Sequence, residues 1–134
     1  MAVVYKDFLG EAKAFLSGAS AEIGFRCSMS RAYYSLYHAA LQHGDEVKIP
    51  PVSSQSGPVH GNLRAFYIDG LYSDKALQSK MKRVGYSLKV LHEGRCKADY
   101  ELDATVQAID ADVHLQRCEA NIKLVEELRA ARAA

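Results

Sequence analysis

"SRAYYSLYHAAL", residues 30–41, packs an arginine, three tyrosines and a histidine into one short run without a proline or a glycine. Tyr34, Tyr37 and Leu41 continue a four-and-three spacing that starts at Ile23, Cys27 and Ser30. That seam predicts a helix over 21–43 that packs inside a helical bundle. Ser20 is placed to cap it and Gly44 to end it. Arg31 and His38 are two turns apart and fall within about 20° of each other around the helix. Tyr34 lies between them on nearly the same side, so a cation, an imidazole and a phenol share one strip.

The same period recurs outward from this helix. Val4, Phe8, Ala12, Phe15 and Leu16 predict a first amphipathic helix over 3–17. Residues 45–58, DEVKIPPVSSQSGP, hold all three prolines and form the one clear loop. A short helix follows over 59–69 and stops at Gly70. Ser73 can cap a long helix whose seam runs Leu77, Met81, Val84, Leu88, Leu91, Arg95 and Ala98. Asp103 can cap a last helix that turns Val106, Ile109, Val113, Leu124 and Leu128 inward. No segment alternates in the manner of a strand. The expectation is a single all-α domain over 1–134, an antiparallel bundle of four to five helices.

Bulk properties narrow the surroundings. The 134 residues are 49% hydrophobic and 25% charged, which is ordinary globular composition. The net charge is +1, so any attraction to nucleic acid or membrane must come from a local cluster. Cys27, Cys96 and Cys118 are odd in number and far apart, which reads as reduced thiols in a cytoplasmic protein. The N-terminal MAVVYKDFLG meets charge at once and reads as neither a signal peptide nor a membrane span.

Two clusters carry chemistry. Arg31, Tyr34 and His38 suit a phosphate site, the arginine holding the anion and the histidine moving protons near neutral pH. The same residues also suit a bundle helix whose arginine pairs with a carboxylate on a neighbour. Arg95 stands where its seam calls for an apolar side chain, and a buried guanidinium is costly unless paired. Asp99 is four residues on, at the distance of an intrahelical pair, and Tyr100 follows. This is either a structural network that sets helix register or a polar pocket at a cleft or dimer seam.

Weaker signals lie beside these. His92 and Cys96, and Asp110, His114 and Cys118, have spacings that can hold a metal, but the chain lacks any ExxH pair, and no metal or cofactor is expected. His60-Gly61-Asn62 at the loop exit can cap the short helix or line a site. Lys80, Lys82, Arg83 and Lys89 form either a nucleic-acid groove or a solvated helix face. Phosphate-loop, dinucleotide-binding and hydrolase signatures are absent.

SRAYYSLYHAAL, then HGNLRAFY, then LHEGRCKADYELD before a terminal helix, resembles the HEPN-domain proteins, in particular the small stand-alone prokaryotic kind. The likeness spans roughly residues 8–128. It implies a helical bundle that pairs two-fold as a homodimer, with a polar cleft at or near the seam. It further implies a toxin or antiphage-defence component, often paired with a nucleotidyltransferase-type antitoxin, and in active members a metal-independent ribonuclease acting on RNA. There an arginine is followed by four to six residues and a histidine. Arg95 matches the arginine, but Tyr100, Glu101 and Leu102 stand where the histidine is sought. The arginine-to-histidine spacing that exists is Arg31 to His38 on the earlier helix.

The reading therefore places Arg31, His38 and Arg95 in catalysis or phosphate binding, with Tyr34, Asp99 and Tyr100 orienting them across a shared cleft. Two alternatives stay open: a non-catalytic module that binds a nucleotide or a nucleotidyltransferase, and an interaction homodimer in which the polar cluster only sets register.

Overall fold

The computed structural model describes residues 2–133. They form five α-helices: α1 (Tyr5–Gly18), α2 (Glu22–Val47), α3 (Val59–Asp69), α4 (Lys75–Tyr100) and α5 (Ala108–Ala133). A 3-10 turn at Val52–Ser54 interrupts the proline-containing loop, and no strand occurs among the described residues. No helix among them is long and apolar enough to cross a membrane.

The all-α bundle is as expected, and side-chain pairs define how its helices run. Ser28 and Ser35 of α2 donate to the carbonyls of Ala12 and Tyr5, each at 2.8 Å, so α1 and α2 are antiparallel. Tyr34 meets Arg95 while Arg26 meets Ala98, so α2 and α4 are antiparallel as well. Lys80 pairs with Glu127 near one end of α4, and Gly94 packs on His114 near the other, which sets α5 antiparallel to α4. By contrast, α2 runs parallel to α5, with His114 at Met29 and Arg129 at Glu46. It also runs parallel to α3, with His60 at Tyr33 and Tyr67 at Ala40.

The seam on α4 is the one the sequence predicts: Met81, Val84, Leu88, Leu91, Arg95 and Ala98 are all buried. The seam on α2 is not. Ile23 is 70% exposed, whereas Ala32, Tyr33, Leu36, Ala39 and Ala40 are buried with Ser28 and Ser35. The reason is that α2 is central, packed by all four other helices. A helix covered on several sides buries a broad arc, and small residues let its neighbours approach closely. Gly44 serves the same end: α2 runs past it to Val47, and a Cβ there would sit 3.2 Å from Val52 and 3.4 Å from Phe66.

Helix ends also differ from expectation. Neither Ser20 nor Ser73 caps; Ala21 precedes α2 without a side-chain bond, and Asp74 caps α4 by accepting from the Leu77 amide at 3.0 Å. The last helix begins at Ala108, beyond Asp103, and Ile109 and Val113 face outward at 59% and 38% exposure. Val106 and Leu128 are buried as expected, Leu124 packs against the core, and the rest of the buried face is Leu115, Cys118, Ile122 and Val125.

One buried arginine holds the end of α4. Arg26 donates to the carbonyls of Ala98 and Glu101 at 3.0 Å each and of Ala104 at 2.6 Å, and its Nε donates to Glu22 at 3.0 Å. The other Glu22 oxygen accepts from the Val106 amide at 3.2 Å. The carbonyls at a helix C-terminus have no partner within the helix, and a cation is favoured there. Arg26 and Glu22 together bind the turn between α4 and α5 to the start of α2.

Candidate functional site

Arg95 sits at the contact of α2 and α4, only 8% exposed. Its Nη1 donates to the Tyr34 hydroxyl at 3.0 Å and to Asp99 Oδ2 at 3.3 Å, and its Nη2 lies 3.6 Å from Cys96 Sγ. Ser30 donates to the same Asp99 oxygen at 3.1 Å. The guanidinium carbon is 5.2 Å from the centre of the Tyr34 ring and 5.5 Å from that of Tyr100. Cation–π attraction and one ion pair thus offset the cost of burying the charge. Its Nε is buried without a hydrogen-bond partner among the described residues.

Two histidines complete the cluster. His60, in the first turn of α3, shares a 2.7 Å hydrogen bond with the Tyr33 hydroxyl through Nδ1. Its ring centre lies 4.6 Å from that of Tyr37 and 4.7 Å from that of His92. His92 precedes Arg95 by one turn of α4, and its Nε2 is 3.7 Å from Cys96 Sγ. Burial pushes His60 down to about 4, and the neighbouring His92, Arg95 and Arg64 add to the effect. Burial also lowers His92, with Arg95 and Arg64 acting in the same direction. Both imidazoles are therefore neutral at pH 7. Burial raises Tyr33 well above the ordinary phenol value, so its hydroxyl keeps its proton.

Of the residues expected to share a cleft, Tyr34, Arg95, Asp99 and Tyr100 come together. Arg31 and His38 do not join them. Arg31 is exposed, with no hydrogen bond or ion pair among the described residues. The His38 ring packs on Phe8 at 5.0 Å and on Tyr37 at 5.1 Å, and it lines a groove of about 460 Å³ with Tyr5, Phe8 and Leu41. Burial alone lowers its pKa, without the contribution from Arg95 that marks His60 and His92. Position on a common strip of α2 does not suffice: Tyr34, in the middle, meets Arg95 of α4, whereas Arg31 and His38 at the two ends stay exposed, His38 beside Phe8 of α1.

His60 and His92 occupy the place the sequence reading gave to His38. The signals were present but weak: an HG pair at the entry to α3, and a histidine one turn before Arg95. Their meeting depends on the packing of α3 against α4, which local spacing does not encode. That packing is close. A Cβ on Gly85 would lie 2.8 Å from both the backbone nitrogen and a side-chain carbon of Ile68.

The other histidine–cysteine spacings have separate structural explanations. His114 is buried with Nε2 3.0 Å from the Met29 carbonyl, Cys118 is buried, and Asp110 accepts from the Gln107 amide at 2.9 Å. Among the described residues, no group of three or more His, Cys, Asp or Glu side chains is placed to hold a metal ion. Comparison with family models, with curated proteins and with solved structures finds no match to this chain.

Proposed function

We propose that the protein is a HEPN-like, metal-independent endoribonuclease of the toxin or defence type, with Arg95, His60 and His92 at its centre. The observation that carries this reading is two imidazoles from different helices, 4.7 Å apart, both packed on the Tyr33 ring that the buried Arg95 guanidinium also faces at 6.0 Å. A phosphodiester held by Arg95, with Arg64 nearby, adds negative charge beside the imidazoles and favours protonation of one of them. The neutral histidine then takes the 2′-hydroxyl proton as the 2′-oxygen attacks phosphorus. The protonated one gives its proton to the departing 5′-oxygen, and the arginine stabilises the charged transition state. The products are a 2′,3′-cyclic phosphate and a 5′-hydroxyl end. Tyr34, Asp99 and Tyr100 orient Arg95, and Tyr33 fixes the His60 ring. This assignment substitutes His60 and His92 for His38 and gives Arg31 no part in the chemistry.

The test is cleavage of end-labelled RNA by purified protein in EDTA. Wild type should produce cyclic-phosphate ends, His60→Ala and Arg95→Gln should lose at least about 100-fold in rate, and His38→Ala should cleave normally. Full activity in His60→Ala would end this reading. By resemblance, the working form is a homodimer held in check by a nucleotidyltransferase-type antitoxin. Sedimentation and co-purification test those two points.

The density of aromatic rings around Arg95 favours a second reading, a site that holds a nucleotide without cleaving RNA. Thermal stabilisation by mononucleotides, abolished in Arg95→Gln, together with intact RNA after incubation would select it.

A further inference from the structure

Away from the Arg95 cluster, the outer face of α4 and the turn before it form an open groove of about 450 Å³. Tyr72 and Tyr86 line it with Lys75, Ser79, Lys82 and Arg83. Lys75, Lys82 and Arg83 are exposed and make no ion pair among the described residues, whereas Lys80, on another side of the helix, is spent on Glu127 at 3.0 Å. Tyr86 is 58% exposed, so its ring is open to a stacking partner. Tyr72 is held in place: its hydroxyl donates to the Leu128 carbonyl at 3.5 Å, and its amide donates to Gln78 at 3.0 Å. The groove thus pairs one anchored ring and one open ring with three free cations.

We infer that this groove binds single-stranded RNA, its phosphates on Lys75, Lys82 and Arg83 and a base stacked on Tyr86. Cations that track a backbone, beside aromatic faces for the bases, are what a single strand requires. An acidic peptide would use the cations and leave the tyrosines idle. With a net charge of only +1, the attraction is local to this groove. Lys89, exposed and two turns beyond Lys82, extends the basic row along α4. Arg95 lies about 20 Å along the helix from Lys82 and on another side of it. The groove therefore anchors a strand apart from the Arg95 cluster, and the inference stands whether or not that cluster cleaves RNA.

The experiment is fluorescence anisotropy of a labelled twelve-nucleotide oligouridine in EDTA, across a range of salt concentrations, using the full chain. Lys82→Gln combined with Arg83→Gln should weaken binding about tenfold or more and lower the salt slope by about 1.4, the change expected for two lost phosphate contacts on a single strand. Tyr86→Leu should weaken binding roughly tenfold with an unchanged slope. Circular dichroism and melting temperature check that each variant is folded. Unchanged affinity and slope in the folded double variant would overturn the inference. So would equal displacement of the RNA by an oligoglutamate of matching charge, which would mark the groove as a dock for an acidic protein.

Discussion

Arg95 and Tyr34 are joined by a 3.0 Å hydrogen bond that crosses from α4 to α2, while the same guanidinium nitrogen reaches Asp99 at 3.3 Å. One atom thus both bridges the two helices and pairs with the carboxylate. Asp99→Ala leaves a mostly buried guanidinium without its carboxylate, and should cost on the order of 3 kcal/mol, at the low end for such pairs because Asp99 is partly exposed. Arg95→Met removes charge and need together and should cost less. Urea denaturation of the two variants gives the order, and a larger loss in Arg95→Met would contradict it.

The field of Arg95 on His60 can be read directly. Nuclear magnetic resonance of the imidazole should show His60 titrating near 4 in the wild type. In Arg95→Gln the midpoint should rise but stay below the ordinary imidazole value, because burial, the largest cause, remains while one of the cations opposing protonation is gone. Inorganic phosphate added to wild type should move it the same way.

Stability should fall as the solution is acidified from neutrality. His60 and His114 are both held near 4 in the fold, against about 6.5 when unfolded. Between those values the unfolded chain binds more protons than the native one, so stability is full above about 6.5 and declines as pH falls toward 4. The contribution of His114, which is well buried, is on the order of 3 kcal/mol. His114→Gln, which can still donate to the Met29 carbonyl, should flatten the decline measured by urea unfolding at pH 7.5, 6 and 4.5.

Arg26 should be as important to the end of α4 as any apolar residue. Arg26→Met strips the carbonyls of Ala98, Glu101 and Ala104 of their donor and should cost about 2–4 kcal/mol. Amide hydrogen exchange should quicken over residues 97–106 before it does so elsewhere.

Two glycines in helices should respond oppositely to alanine. Gly10 has open space around it, so Gly10→Ala should stabilise by about 0.5–1 kcal/mol. Gly85→Ala gains the same helix preference but drives a methyl into the backbone of Ile68, and should destabilise by about 1–3 kcal/mol. Melting temperatures of the two variants should move in opposite directions.

The sequence revealed α4 best, because each buried position there except Arg95, Gly85 and Ala98 carries a large apolar side chain at regular spacing. It revealed α2 less well, because alanines and serines form much of that buried face and carry little hydrophobic signal. In α5 the large residues Ile109 and Val113 point outward, so the pattern misleads at its start. The Arg95, Asp99, Tyr34 and Tyr100 group was legible, since a charge in an apolar seam demands partners. His60 and His92 gave only weak signals, because each is ordinary within its own helix and significant only beside the other. Arg26 was equally hidden: four residues after Glu22, it has the spacing of a solvent-exposed pair.

Arg26 and Tyr34 are both fixed by α4, one through carbonyl oxygens and the other through Arg95. The stretch of α2 between them is consequently a gauge of set length. Adding or deleting one residue within it would turn everything downstream by about 100° and slide it 1.5 Å. Descendants of this chain can then vary the loops in length, but must hold that interval constant or give up one anchor.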